Sequence, residues 1–261
     1  MYSYSPHEGY TLYPSLAHSV VFITGGASGI GASLVEAFVV QGAAVAFIDI
    51  DQECAEQLCA QLVARNLKRP WFRVCDVSNI AQLRLSIEAA QVELGNITVL
   101  INNAANDQRY ETDKITEQEW LQGLAVNLHP AFFAAQAVQP MMAAQGGGAI
   151  LNISSLNTCF GPPRLASYVT AKAGMLGITK ALATDFGPDN IRVNAILPGW
   201  VATPRQLEKW LTPEQEEEWM QRVCLKKRLG AHDVAKMALF LASADAAMVT
   251  AQQFIVDGGR S

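Results

Sequence analysis

The chain has no surplus of basic charge: 19 Lys and Arg stand against 24 Asp and Glu, a formal net charge of −5 over 261 residues. That disfavours nucleic acid and anionic membranes as partners, since both need a basic footprint. Long apolar runs are missing as well, and no stretch reaches membrane length without polar interruption. The opening "MYSYSPHEGYTLYPSLAHS" has no basic segment followed by an apolar core, so no secretory signal is read there. The five cysteines (Cys54, Cys59, Cys75, Cys159, Cys224) are odd in number and scattered, with no C-x-x-C pair. The histidines (His7, His18, His129, His232) are equally dispersed, and neither a disulfide framework nor a metal site is expected. No Pro/Ser-rich linker, repeat or low-complexity tract divides the chain. With half the residues apolar and 16% charged, disorder is excluded and a substantial core is available. A soluble cytoplasmic protein is expected, with an extension at 1–18 and one domain over 19–261.

Seven short, β-rich apolar runs are present: 19–25, 43–50, 71–77, 98–104, 149–155, 191–199 and 253–259. Between them, 30–41, 52–65, 80–94, 117–144, 166–186 and 231–243 show helical periodicity or composition. Such alternation predicts an α/β fold, a doubly wound parallel sheet of seven strands in the Rossmann manner with helices on both faces. Residues 200–230 break the alternation with an amphipathic, Trp-bearing insertion, expected as a lid or an oligomer contact.

The first strand runs into "TGGASGIG" (24–31). A Gly-rich strand-to-helix turn lets backbone N–H groups and a helix N-terminus face a pyrophosphate, which makes Gly25, Ser28, Gly29, Ile30 and Gly31 candidate cofactor residues. Alone, such a turn also serves tight strand–helix packing. The second strand ends in Asp49, eighteen residues past Gly31, where a ribose-binding acid is expected. Its carboxylate would accept from the ribose hydroxyls and repel a 2′-phosphate, and Ile50 and Asp51 follow instead of a cation. NAD is therefore expected over NADP. An isolated Asp there could equally be a solvated strand end.

In "SYVTAK" (167–172), Tyr168 and Lys172 share one helical face. They could be a core phenol and a snorkelling ammonium. The sharper reading is a general base whose pKa the neighbouring cation lowers. With "TGGASGIG", "INNAA", "NISS" and "SYVTAK" in order, the chain resembles the short-chain dehydrogenase/reductase family over essentially its whole length. The resemblance implies a catalytic set of Asn127, Ser155, Tyr168 and Lys172, with Ser155 at the reacting oxygen and Asn127 holding a water that links Lys172 to solvent. It implies further cofactor contacts at Asp76, Val77, Asn103, Val201 and Thr203, and a homotetramer. Ala105 replaces the Gly usual at the end of the family's N-N-A-G, a change that fits unless the position needs positive φ.

"YPSL", "NNAANDQR", "TPRQ", "EKWLTPE" and "FLAS" further resemble the sugar 1-dehydrogenases of that family. A polyol needs several hydrogen-bonding side chains and an apolar or aromatic face. Asn106, Asp107, Asn157, Gln206 and Trp200 are the expected substrate contacts beside Ser155 and Tyr168, with Gln108, Arg109 and Arg205 available nearby. Asn157, two past Ser155, shares its strand face if the extended backbone persists. The implied reaction is oxidation of an aldopyranose at C1 to the aldonolactone. L-Arabinose is preferred, with D-galactose accepted, because Asn157, Thr158 and "GPPRLASY" depart from the D-xylose enzymes' pattern. A D-xylose enzyme, an acyl or cyclic-ketone reductase, and a non-enzymatic dinucleotide-binding regulator are the alternatives.

Overall fold

A computed structural model describes residues 9–210 and 212–261. Residues 1–8 of the expected extension, His7 included, and Leu211 within the expected lid lie outside the described residues. The seven expected strands all form: β1 (Val20–Thr24), β2 (Ala44–Asp49), β3 (Trp71–Val74), β4 (Val99–Asn102), β5 (Gly148–Ile153), β6 (Ile191–Pro198) and β7 (Gln253–Val256). They make one parallel sheet in the order β3-β2-β1-β4-β5-β6-β7. The order reverses between β1 and β4, and the crevice at the carboxyl ends of those two strands is where such sheets take ligands.

The helices are α1 (Gly29–Val40), α2 (Gln52–Ala64), α3 (Ile80–Leu94), α4 (Glu117–Asn127), α5 (His129–Ala144), α6 (Asn157–Phe160), α7 (Ala166–Phe186), α8 (Pro204–Lys209), α9 (Pro213–Arg222) and α10 (Ala231–Ala242). Leu34, Phe38, Leu58 and Leu239 of α1, α2 and α10 pack one face of the sheet. Leu83, Ile87, Val138 and Leu182 of α3, α5 and α7 pack the other. Covered on both faces, β1 and β4 are buried at every residue, which is why they read as unbroken apolar runs. Part of the N-terminal extension joins this core: Leu16 is buried, and Gln41 at the end of α1 accepts from the Tyr13 N–H at 2.8 Å.

One expectation needs correction. The stretch 117–144 is two helices, broken at Leu128 (φ −128°, ψ −55°) just before Pro130. Proline has no N–H to give and clashes with the preceding turn, so the helical ladder stops and restarts. The insertion at 200–230 carries two short helices, α8 and α9. Thr203 and Thr212 cap them through Gln206 N–H and Gln215 N–H, and each Thr is followed by Pro at the first helical position.

Phe47 sits in register with Phe72 across β2 and β3, their rings stacked at 5.1 Å. It also lies directly under the Gly-rich turn, where a Cβ on Gly26 would fall 2.6 Å from its side chain. Phe47→Ala should therefore cost about 3–5 kcal/mol of stability and loosen the turn above it. Denaturant unfolding measures the first effect and dinucleotide titration the second. A fully stable variant with unchanged dinucleotide affinity contradicts the packing described.

Candidate active site

The turn between β1 and α1 is built around close backbone approach. Gly25 and Gly29 have φ of +67° and +54°, and a Cβ on Gly31 would overlap the Gly25 carbonyl oxygen. Thr24 and Asn103 fasten the turn to the end of β4. The Thr24 hydroxyl accepts from the Asn103 and Ala104 N–H groups, both at 3.0 Å, while Asn103 Nδ2 donates to the Thr24 and Gly25 carbonyls at 3.1 and 2.8 Å. Ser28 stands at the N-cap of α1 with extended backbone and does not lend its hydroxyl to the helix. The N–H groups of Gly29, Ile30 and Gly31 are thus left to an incoming anion. Ala105 keeps φ outside the left-handed region, so the Gly-to-Ala departure causes no strain.

Asp49, the expected ribose contact, stands at the end of β2 beside the Gly-rich turn. One of its oxygens accepts from the Ala27 N–H at 2.9 Å and the other from the Asp51 N–H at 3.1 Å, fixing the carboxylate over the Gly-rich turn with lone pairs to spare. Asp76 spends one oxygen on the Ser78 N–H and O–H, at 2.9 and 2.7 Å, and leaves the capping of α3 to Asn79. Val77 beside it is buried. Across the crevice, the Thr203 methyl would touch a Cβ on Gly29 at 3.2 Å, so the base of α8 faces the turn. Val201 is held by a bridge to Leu229. The glycine cradle, the free N–H groups and the Asp49 carboxylate fit a dinucleotide.

Ser155, Tyr168 and Lys172 of the expected catalytic set come together where β5 meets α7. Lys172 is buried, and its Nζ donates to the Ile153 carbonyl at 2.7 Å. Ser154 takes a structural part, its hydroxyl donating to the Lys172 carbonyl at 2.9 Å. Ser155 is the neighbour left to the cleft, and it interacts with the Tyr168 hydroxyl. Lys172 Nζ lies 5.8 Å from the centre of the Tyr168 ring. Asn127, at the break between α4 and α5, uses its whole side-chain amide on backbone: it donates to the Gly123 and Asn106 carbonyls and accepts from the Asn106 N–H, at 2.9, 3.0 and 2.8 Å. Any water at Asn127 falls to its main-chain carbonyl. That group is outside the helical ladder, because Pro130 has no N–H and the Ala131 N–H goes to Leu128.

The expectation that Lys172 lowers the phenol's pKa is not met by the protein alone. Burial pushes Tyr168 up to about 12, with the Ser155 hydrogen bond opposing the rise and the Asp107 carboxylate adding to it. Burial also pulls the Lys172 ammonium down to about 7. Desolvation disfavours the charged form of each group, and a partner held near neutrality offers only part of a charge.

The expected substrate residues form one hydrogen-bonded network between the β4–α4 loop and the lid. Trp200 Nε1 donates to Gln206 Oε1 at 2.9 Å, Gln206 Nε2 to Asp107 Oδ2 at 2.8 Å, and Arg205 to both Asp107 Oδ1 and Asn106 Oδ1 at 3.0 Å. Asn157 is not on an extended strand face. β5 ends at Ile153 and Leu156 turns helical (φ −62°, ψ −21°), so the premise that placed Asn157 beside Ser155 fails. Its N–H instead reaches the Ser155 hydroxyl oxygen at 3.2 Å. Three cation–ring contacts had no sequence signal. The Arg109 guanidinium stacks on Trp210 at 4.1 Å, and Arg260 lies over Phe160 and Trp219 at 4.6 and 5.2 Å. Among the described residues no helix is long and apolar enough to cross a membrane.

A family model described as enoyl-(acyl carrier protein) reductase matches residues 25–261. The chain is 48% identical to the probable galactose dehydrogenase GalD of Rhizobium meliloti strain 1021 over 247 residues, covering 95% of this chain and 96% of that protein. The chain belongs to the short-chain dehydrogenase/reductase family. This oxidoreductase is also 44% identical to the D-xylose 1-dehydrogenase of Caulobacter vibrioides over 248 residues, 95% of this chain and 98% of that one. Among solved structures, the crystal structure of a 3-oxoacyl-[acyl-carrier protein] reductase with bound NAD from Brucella melitensis superimposes with a TM-score of 0.85 at 32% identity, covering 95% of this chain and 93% of that one.

The Lys172 ammonium gives this site a signature in stability. Its pKa is 10.5 unfolded and about 7 folded, so between those values the unfolded chain binds more protons and stability rises with pH. Below pH 7 the full cost of the buried charge is present, and above 10.5 it is gone. Lys172→Met should remove this slope, at most about 1.4 kcal/mol per pH unit, and gain most over wild type on the acid side. Unfolding free energies of both proteins across that window provide the check. Parallel pH curves would show that Lys172 is not held in this state.

Proposed function

We propose that the protein is an NAD-dependent aldose 1-dehydrogenase acting best on L-arabinose, with D-galactose as a slower substrate, and giving the aldonolactone. The observation that carries the reading is the Trp200–Gln206–Asp107–Arg205–Asn106 network, whose Asp107 carboxylate acts on the Tyr168 phenol. A wall of linked donors and acceptors beside an indole suits a ring of hydroxyls with apolar C–H patches, not an acyl chain. The galactose and D-xylose names of the two relatives above support the same class. Ser155, Tyr168, Lys172 and Asn127 are all present, and a non-enzymatic regulator would have no use for them.

In this reading Ser155 holds the anomeric oxygen and Tyr168 takes its proton as the C1–H bond gives up a hydride and C=O forms. Lys172 keeps the phenol's surroundings positive and holds a ribose hydroxyl, and a water at Asn127 passes the proton outward. When bound, NAD supplies the hydride acceptor and a further positive charge beside the phenol. Gly25, Ser28, Gly29, Ile30, Gly31, Asp49, Asp76, Val77, Asn103, Val201 and Thr203 would hold it. Substrate contacts are Asn106, Asp107, Asn157, Trp200 and Gln206. A cytoplasmic homotetramer completes the reading, covering the exposed Leu121 on α4 and Phe132 on α5.

NAD is favoured in this reading because the Asp49 carboxylate, held by the Ala27 and Asp51 N–H groups, would repel a 2′-phosphate brought to it. Asp49→Ala removes that repulsion together with a ribose acceptor, so the kcat/KM ratio of NAD to NADP should fall by about tenfold or more. An unchanged ratio would remove Asp49 from the ribose.

L-Arabinose and D-galactose share ring configuration from C2 to C4 and differ by the exocyclic group at C5, whereas D-xylose is inverted at C4. A pocket reading those hydroxyls loses a buried partner with D-xylose, about 1–3 kcal/mol or roughly ten- to a hundredfold. A panel of aldoses followed at the reduced-nicotinamide absorbance should rank kcat/KM as L-arabinose, D-galactose, D-xylose. D-Xylose ranking first would overturn the sugar assigned, and no turnover of any aldose would overturn the class.

A further inference from the structure

Helix α9 of the lid buries no residue of its own, and it borders a cavity of about 490 Å³ lined by Trp200, Trp219, Val223, Leu229, Ile255 and Asp257. A helix beside open space gains little from apolar burial, so the few contacts it makes decide where it stands. Trp219 makes one of them, meeting the Trp200 ring edge-to-face at 5.6 Å. The segment 257–261, after β7, supplies others. Asp257 is buried and accepts from the Gly259, Arg260 and Ser261 N–H groups at 2.8, 3.1 and 2.8 Å. The turn so fixed lies hard against the chain leaving α9: the Cys224 and Leu225 N–H groups donate to the Gly259 and Gly258 carbonyls at 3.2 and 2.9 Å. Arg260 stands on this turn. Its guanidinium lies 5.2 Å from the centre of the Trp219 ring and 4.6 Å from that of Phe160 in α6.

We propose that Arg260 is a positioning residue for the sugar: shared by Phe160 and Trp219, its guanidinium latches the lid to α6 and so holds the Trp200 indole that receives the ring's apolar side. The two walls it joins are those of the proposed sugar site. Helix α6 begins at Asn157, whose N–H reaches the Ser155 hydroxyl, and Trp200 is tied through Gln206 to Asp107. Without the latch, α9 lifts beside its cavity and Trp200 loses the ring that braces it. The inference rests on the reading of Trp200 as a sugar contact in an aldose dehydrogenase.

Stacking, not ion pairing, is what the geometry offers here. Glu216 and Glu218 of α9 pair with Arg228 and Arg222, and the Asp257 carboxylate is taken by backbone N–H groups. The Arg260 Nε atom is buried without a hydrogen-bond partner, as expected where a flat guanidinium lies against rings. Phe160 is 44% exposed, so the contact is partly wet and of the modest strength such cation–ring pairs have. A contact of that size does not decide whether the protein folds. It is enough to place a helix that buries nothing else.

The test compares wild type, Arg260→Met, Arg260→Lys, Trp219→Leu and the Arg260→Met/Trp219→Leu double variant. The readouts are kcat, the KM values for L-arabinose and NAD, and the rate at which trypsin cuts the NAD complex within 205–228. Arg260→Met should raise the sugar KM about tenfold, with kcat and the NAD KM held within about twofold. Cutting within the lid should quicken by roughly the same factor, because cleavage follows the population of the opened form. Arg260→Lys keeps the charge but not the flat face, and should recover part of both effects. With Trp219→Leu in place, Arg260→Met should change neither. An unmoved sugar KM, a loss confined to kcat, or an equal effect with and without Trp219 would overturn the proposal. Cleavage needs no sugar: an unchanged rate removes the latch even if no aldose is turned over, while faster cutting without turnover supports the latch and faults only the sugar reading.

Discussion

Everything at this site depends on one buried contact between a strand end and a helix. The buried Lys172 ammonium of α7 is anchored on the Ile153 carbonyl, and the Ser154 hydroxyl, just past the strand, donates to the Lys172 carbonyl. A buried charge is costly unless its donors are used. The carboxyl end of β5 is therefore not free to shift against the helix. That clasp puts Ser155 beside Tyr168 and fixes the phenol's distance from the ammonium. The same burial disfavours both charged forms, pushing the Tyr168 phenol up to about 12 and the Lys172 ammonium down to about 7.

Around this rigid floor the walls are polar and built from two loops far apart in sequence. The β4–α4 loop is held from behind by Asn127, whose position follows from the break that Pro130 imposes on the helix. The lid is held from above by its Thr-Pro starts and meets the loop through Asp107. Rigidity thus decreases from the sheet outward, from buried strand to clasped loop to a lid whose docking is ionic and partly exposed. Loose outer elements on a fixed catalytic floor are what a site needs if it must admit a substrate and then cover it.

The alternation of apolar runs and helical patterns was enough to find all seven strands, because a parallel sheet covered on both faces writes itself as uninterrupted apolar segments. Spacing along the chain was likewise enough to nominate the candidate site: the Gly-rich turn, Asp49 at the next strand end, and Tyr168 four before Lys172. Asn157 was misjudged because two-residue spacing implies one face only while the strand lasts, and β5 stops at Ile153. The helix at 117–144 was read as continuous because its composition favours helix on both sides of a single proline.

The sequence by itself determined the fold and nominated the Gly-rich crevice and the candidate Ser155, Tyr168 and Lys172 side chains, since each is encoded by local periodicity, by glycine's freedom or by residues at fixed short spacing. Only the tertiary structure decided which polar residues face one another across the cleft and what proton affinity the base has. Arg205 meets Asp107 across 98 residues of chain, and Arg109 meets Trp210 over a similar separation. The pKa of Tyr168 is set by how much water burial removes. Pairings between distant loops and the degree of desolvation are properties of packing, and no spacing along the chain records them.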